Sequence, residues 1–491
     1  MDRENQHVVD PDDGARAPGA AITLEVSQVH ELPRPQAPFT DDPPCMYAVI
    51  TVTVRKNARA AAPVRQADPD PVEPPGGAGR PPLAEVLLID HSSSMVIPPS
   101  RLAAAREAAV GALARLPDGA QFALVAGRKD SDMIYPRRPA LAVADAVTRA
   151  EAEAALHGCT PGGGTAMGTW LERARRLFQG AEGDTAGPGT ARARHALLLT
   201  DGKNLPAYES REELTARVER CAGRFTCDAV GIGDDWETEE LLLITGRLGG
   251  RARAVADLAQ LPAELAALAQ RAAERDLTGL RLRLYHRKGV RLHYFEQVHP
   301  TRTRLRPAHV DRSDEESGRG GPVEEYDTAP WGDETRDYLL CVSAPYEKDQ
   351  RDKELLLTEV EVDVDPPSPD IQLPLGKAVL MRWSDEADLY SRLDPRVAHY
   401  QHEEELHDTY ERACAELKSG RREEARTLLA TAWKLAATTG DTTMQDHLRK
   451  LVRVVDPDRG EVELLDRIAR FDVEAARIHA STTVLPGGAE R

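Results

Sequence analysis

The alternation of apolar and polar positions changes period twice along the chain. Ile22, Leu24 and Val26 alternate with polar residues, and Ala48, Ile50, Val52 and Val54 alternate with Thr51 and Thr53. Both are the period-two signal of strands with one buried face. From Leu83 the pattern becomes strands alternating with helices. An apolar run over about 84–90 leads into an Ala/Leu/Arg helix over about 100–115. A strand at about 120–126, a hairpin arm near Met133–Tyr135, and helices at about 142–156 and 166–179 come next. The unit closes with strands at about 195–200, 225–233 and 252–255, separated by helices at about 209–223 and 237–248, and a last helix ending near Arg275. This alternation predicts a doubly wound α/β fold, its mostly parallel sheet covered on both faces.

After about residue 276 the period returns to two. Leu280, Leu282 and Leu284 alternate with Arg281 and Arg283, and Val360, Val362 and Val364 alternate with Glu359, Glu361 and Asp363. The acidic, Gly-rich stretch between them, about 311–337, reads as a mobile loop. The early strands have no core of their own. They are therefore expected to join the later ones in one antiparallel β-sandwich, with the α/β unit inserted between. The last hundred residues have helical spacing. Leu406, Tyr410, Ala413, Cys414 and Leu417 mark one helix, ended by Gly420, and Ala425, Leu428, Leu429, Ala432 and Leu435 mark a second, followed by Gly440. Two further helices, split at Asp456-Pro457, complete the expected bundle. The expected divisions are a disordered tail at 1–20, strands plus a Pro/Gly-rich linker at 21–82, the α/β unit at 83–275, the rest of the sandwich at 276–385, and a C-terminal helical domain at 386–491.

Composition narrows the function. With 491 residues the chain exceeds a single core, and a net charge of −18 argues against nonspecific binding to nucleic acid or anionic membrane. No signal peptide and no membrane-length apolar window is visible, so a cytoplasmic location is expected. The six cysteines are scattered, without a C-x-x-C pair, which fits reduced thiols.

The candidate chemistry sits at strand ends. The strand in AEVLLIDHSSSM (84–95) ends in Asp90, Ser92 and Ser94, spaced D-x-S-x-S. A carboxylate with alternate hydroxyls is a hard, oxygen-rich donor set suited to Mg²⁺ or Mn²⁺ rather than zinc. Thr165, after Gly162-Gly163-Gly164, offers a third hydroxyl. Asp201, in LLLTDG, offers a second carboxylate from the end of another strand. Ligands of open α/β sheets bind outside such ends.

These pieces, in this order and with these separations, resemble a von Willebrand factor type A domain, as does the GIG at 231–233. The resemblance covers about residues 83–275. It implies a metal-ion-dependent adhesion site in which Ser92, Ser94 and Thr165 give hydroxyl ligands to Mg²⁺. Asp90 and Asp201 would act directly or through water, and an Asp or Glu of a protein partner would fill the open position. Ser93 stands where the family often has Gly, which bears on the loop backbone and not on the ligands. The flanks, including WGDETRDYLL (331–340) and VVDPDRGEVEL (454–464), resemble those of bacterial cytosolic proteins with an inserted domain of this type.

The expected function is a non-catalytic, Mg²⁺-dependent protein-interaction module or scaffold. An accessory subunit of an enzyme assembly, such as a chelatase or MoxR-type ATPase system, is the alternative. A metal-assisted hydrolase is disfavoured, because no positioned base or second metal site is visible. The glycines at 162–164 lack the Lys-Ser/Thr of a P-loop. The stripe Arg281, Arg283, Arg287, Lys288 and Arg291 reads as a solvated strand face, and the helix at about 421–438 as an ordinary hairpin helix and not a tetratricopeptide repeat.

Overall fold

The computed structural model describes residues 19–34, 44–56, 83–180, 193–311, 321–346 and 353–486. The expected tail at 1–20, except its last two residues, lies outside them, as does the linker at 57–82.

The α/β unit is built on one sheet in the order Ala252–Val255, Thr226–Ile232, Arg194–Thr200, Ala84–Asp90, Gln121–Gly127, Ser131–Tyr135. The first five strands run parallel, and the arm Ser131–Tyr135 is antiparallel. Every residue of Ala84–Asp90 is buried, as a central strand with helices on both faces requires. Leu87 and Ile89 pack on one side with helices Pro99–Leu113 and Leu261–Glu274. Ala84, Val86 and Leu88 pack on the other with helices Met167–Gly180, Arg211–Cys221 and Thr238–Arg247. The chain moves from the central strand first to Gln121–Gly127 and later, on the opposite side, to Arg194–Thr200. The strand order thus reverses between the two strand ends that carry Asp90 and Asp201, the crevice where such sheets bind ligands.

Two further six-stranded sheets flank this unit. One contains Ala20–Gln28, Met46–Lys56, Thr335–Ser343 and Arg291–His299; the other contains Glu31–Pro33, Leu280–His286, Leu355–Val364 and Lys377–Ser384. Strands from before and after the α/β unit are neighbours: Ile50 stands opposite Tyr338, and Ala48 opposite Leu340. Ile22, Leu24, Ile50 and Val52 share one buried cluster with Leu282, Leu284, Val360 and Val362.

The expected loop at about 311–337 is corrected in part. Residues 312–320 lie outside the described ones, but Val323–Asp327 is a strand paired with both Leu280–His286 and His309–Asp311. Its acidic residues mislead the eye, because Glu325 and Asp327 bond Arg283 and Arg281 across the pair while Val323 and Tyr326 are buried. Arg283 and Arg281 also meet Asp363 and Asp365, so these two members of the basic stripe are neutralised along the sheet.

The C-terminal region contains helices Pro395–Lys418, Arg422–Thr439, Thr442–Arg449 and Arg470–Ala480. Gly420 and Gly440 take the positive φ that closes the first two. Helices Thr442–Arg449 and Arg470–Ala480 lie on either side of Asp456-Pro457, but the dipeptide is not a simple break between them. It lies at the turn of a hairpin, Val452–Asp456 against Glu461–Leu464. Pro457 interrupts helical hydrogen bonding, and Gly460 adopts a φ of 64° in the turn.

Candidate functional site

The five oxygen donors expected from the sequence converge at the carboxyl edge of the parallel sheet. Asp90 ends the central strand and is fully buried. Its Oδ1 accepts from the Ser92 backbone N–H at 2.7 Å, and its Oδ2 accepts from the Thr200 hydroxyl at 2.7 Å. Burial pushes its pKa up to about 6 against these bonds, and the nearby Asp201 adds to the rise. The Ser92 and Ser94 hydroxyls lie 2.8 Å apart, and Ser94 Oγ donates to Asp201 Oδ1 at 2.8 Å. A Cβ placed on Gly202 would stand 3.7 Å from Thr165 Oγ1 and 3.8 Å from Ser94 Oγ. The third hydroxyl thus borders the same glycine as Ser94.

Backbone bonds between loops hold the set. The loop of Thr165 is stitched to the first by Gly162 N–H to His91 O (2.7 Å) and Ser93 N–H to Gly163 O (3.0 Å). Ser93, where a glycine was the commoner expectation, keeps its side chain exposed while its N–H makes this bond. The loop after Asp201 reaches back through Leu205 N–H to Thr165 O at 3.0 Å and Asn204 Oδ1 to Met167 N–H at 2.7 Å. Gly163 has a φ of 86°. Gly164 is required for packing, since a Cβ there would stand 2.3 Å from the Tyr208 ring and 2.8 Å from Leu205. The glycines therefore shape the loop for the neighbouring loop.

A six-coordinate Mg²⁺ with bonds of about 2.0–2.1 Å places adjacent ligand oxygens about 2.9 Å apart. The Ser92–Ser94 and Ser94–Asp201 spacings fit that edge, although they are also hydrogen-bond lengths. Among the described residues, no three or more His, Cys, Asp or Glu are grouped to hold a metal ion. The donor set here is of another kind: two carboxylates and three hydroxyls.

Two contributors were not singled out from the sequence. Thr200 orients Asp90 and also accepts from the Gly202 N–H at 3.1 Å. Arg101, on helix Pro99–Leu113, donates to Asp201 Oδ2 at 2.6 Å, with only 14% of its side chain exposed. In SRLAAAREA it looks like any helix-surface arginine, so no local signal marks it. Gly233 makes room for it: a Cβ there would lie 2.7 Å from a guanidinium nitrogen.

The exposed large apolar side chains of the site loops complete the picture. Val96 and Ile97 follow Ser94, and Leu205 and Tyr208 follow Asp201; their exposures are 38%, 74%, 38% and 47%.

A doubly wound α/β sheet with D-x-S-x-S, threonine and aspartate donors at its switch point defines the class. The family described as von Willebrand factor type A domain matches residues 85–254. The chain is a von Willebrand factor type A domain protein. A solved structure, von Willebrand factor type A from Catenulispora acidiphila, is similar at 28% identity and a TM-score of 0.78, covering 96% of this chain and 99% of that one. The ArnB paralog VWA2 from Sulfolobus acidocaldarius is similar at 13% identity and a TM-score of 0.51, covering 95% and 100%, a likeness of fold alone. No curated protein matches the chain.

Proposed function

We propose that this protein is a non-catalytic interaction module that holds Mg²⁺ through Asp90, Ser92, Ser94, Thr165 and Asp201, with Mn²⁺ as a substitute, and binds an Asp or Glu of a protein partner there. The observation that carries this reading is the meeting of all five donors from three separate loops at the switch point of the sheet. Bound Mg²⁺ supplies an electrophilic position for an anionic oxygen. The chain's own residues do the rest. Thr200 and the Ser92 N–H fix Asp90, Ser94 fixes Asp201, and Val96, Ile97, Leu205 and Tyr208 offer an apolar rim to a docking partner. Exposed apolar groups beside a polar centre are typical of interaction surfaces.

The architecture proposed around the module is a β-sandwich split by the inserted domain at 83–275, with a helical domain after about 386. The shared core of the flanking strands supports this division. Six unpaired cysteines support a reducing, cytoplasmic setting. Among the described residues no helix is long and apolar enough to cross a membrane.

The test is affinity purification of wild type and Asp201→Ala, each with Mg²⁺ and with EDTA. Partners retained only by wild type in Mg²⁺ are expected. Equal recovery in all four samples rules the reading out.

A further inference from the structure

At the opposite, amino edge of the parallel sheet lies a cavity of about 440 Å³, between the α/β unit and the flanking strands. Strands end at the ion site; here they begin. Six arginines line the cavity: Arg194, Arg224, Arg247, Arg251, Arg275 and Arg336. The lining carboxylate, Asp327, is already bonded to Arg281 at 2.8 Å. In a chain of net charge −18, such a concentration of one sign is a built feature.

Nearby carboxylates meet several of these arginines. Glu334 serves both Arg275, at 3.0 Å, and Arg336. Glu219 lies 3.1 Å from Arg247. Asp228 accepts from the Arg251 backbone N–H at 2.6 Å and faces His195. Nε of Arg251 and Nε of Arg275 are buried without a hydrogen-bond partner among the described residues. Burial, and then the Arg271 and Arg275 guanidiniums, push Arg251 down to about 10 despite the attraction of Asp228. Unpaired buried donors of this kind are costly unless an anion meets them.

The geometry points to a binding site for a small phosphorylated organic molecule of about nucleotide size. Guanidinium forks match phosphate oxygens in pairs, which a single carboxylate ligand would use less fully. Phe225, buried at the wall, gives the organic part an apolar surface. The volume falls in the range of small-ligand pockets, about 300–1,000 Å³. Arg251 is the anchor to test, because it lines the cavity and its buried Nε has no partner among the described residues.

The test uses the full chain in EDTA, so that it is independent of the ion site. ADP, inorganic phosphate and adenosine are titrated calorimetrically into wild type, Arg251→Gln, Gly246→Glu and Arg426→Gln. ADP is expected to bind, more tightly than inorganic phosphate, and adenosine is not. Arg251→Gln should weaken ADP by about tenfold or more, the worth of one charged hydrogen bond. Gly246 also lines the cavity, and a Cβ there meets nothing within 4 Å, so Gly246→Glu adds a negative charge without a clash and should abolish binding. Arg426→Gln, on a helix face outside the cavity and paired with Glu423, should leave ADP affinity unchanged. The assignment is overturned if ADP does not bind at millimolar concentration, if adenosine or inorganic phosphate binds as well as ADP, or if Arg251→Gln and Gly246→Glu bind like wild type. Asp201→Ala should bind ADP as wild type does, so failure of the ion-site reading and failure of this one are distinguishable.

Discussion

Arg101 is the residue whose role was least visible in advance. Its guanidinium holds Asp201 Oδ2 at 2.6 Å, so a cation of the protein's own already engages a carboxylate assigned to Mg²⁺. If the two compete, Arg101→Gln should bind Mn²⁺ more tightly than wild type, by calorimetry or by Mn²⁺ electron paramagnetic resonance. In EDTA the same variant should lose about 1–3 kcal/mol of stability, because a buried acceptor is left short of a donor. Weaker Mn²⁺ binding would instead make Arg101 a positioner of Asp201. The glycine loop gives a paired test. Gly164→Ala drives a methyl into the Tyr208 ring and should displace the Thr165 loop, costing about 1–3 kcal/mol and weakening Mn²⁺ binding. Gly162→Ala, with nothing within 4 Å of the added Cβ, should change neither.

At the scale of the element, the central strands carry a buried charge cluster distinct from the ion site. His195 Nδ1 lies 2.8 and 2.9 Å from the Glu85 oxygens, and Nε2 lies 3.3 Å from Asp228 Oδ2, so three adjacent strands are joined. Burial alone would lower the His195 pKa, but Glu85 and Asp228 override it and raise it to about 10. A raised histidine stabilises fully below its unfolded pKa, about 6.5, and that contribution is lost as pH rises through the folded value. The stability gap between wild type and His195→Gln should therefore be widest near pH 6 and should narrow toward pH 10 in denaturant titrations. At neutral pH the substitution should cost about 3–5 kcal/mol, since it leaves buried carboxylates without their cation. A gap independent of pH would refute the charged assignment.

For the whole molecule, the question is how the C-terminal region communicates with the α/β unit. Helix Arg470–Ala480 docks on it directly. Phe471 meets the Trp236 ring edge-on at 6.3 Å, Thr238 donates to Glu474 at 2.5 Å, and Ile478 enters the cluster beneath the sheet. Arg477 bonds Glu411 at 2.6 Å and Glu239 at 3.3 Å, spanning both regions. Phe471→Ala should cost about 1–3 kcal/mol, less than a fully buried aromatic because the ring is only half-buried. Hydrogen exchange should quicken in 470–480 before it does in the central strands. Unchanged exchange there would mean that the ion pairs alone hold the helix.

Much of this was legible in the residues themselves. The alternation of strand and helix from Leu83 to Arg275, the burial of 84–90, and the place of Asp90 and Asp201 at strand ends follow from period and from residue type, because covalent geometry fixes which side chains share a face. The cross-strand partners of Arg281 and Arg283 were not legible. These arginines read as a solvated strand face, and the acidic stretch at 323–327 read as loop, until its register with 280–286 placed Glu325 and Asp327 beside Arg283 and Arg281. Likewise the hairpin at 452–464 follows a period of two too short to override the helical context around it. Arg101 over Asp201, His195 between two acids, and the arginines of the amino-edge cavity lay beyond any reading of the chain in order. Those pairings join residues far apart in sequence, and charge interactions depend on separation and burial, which only the packed sheet decides.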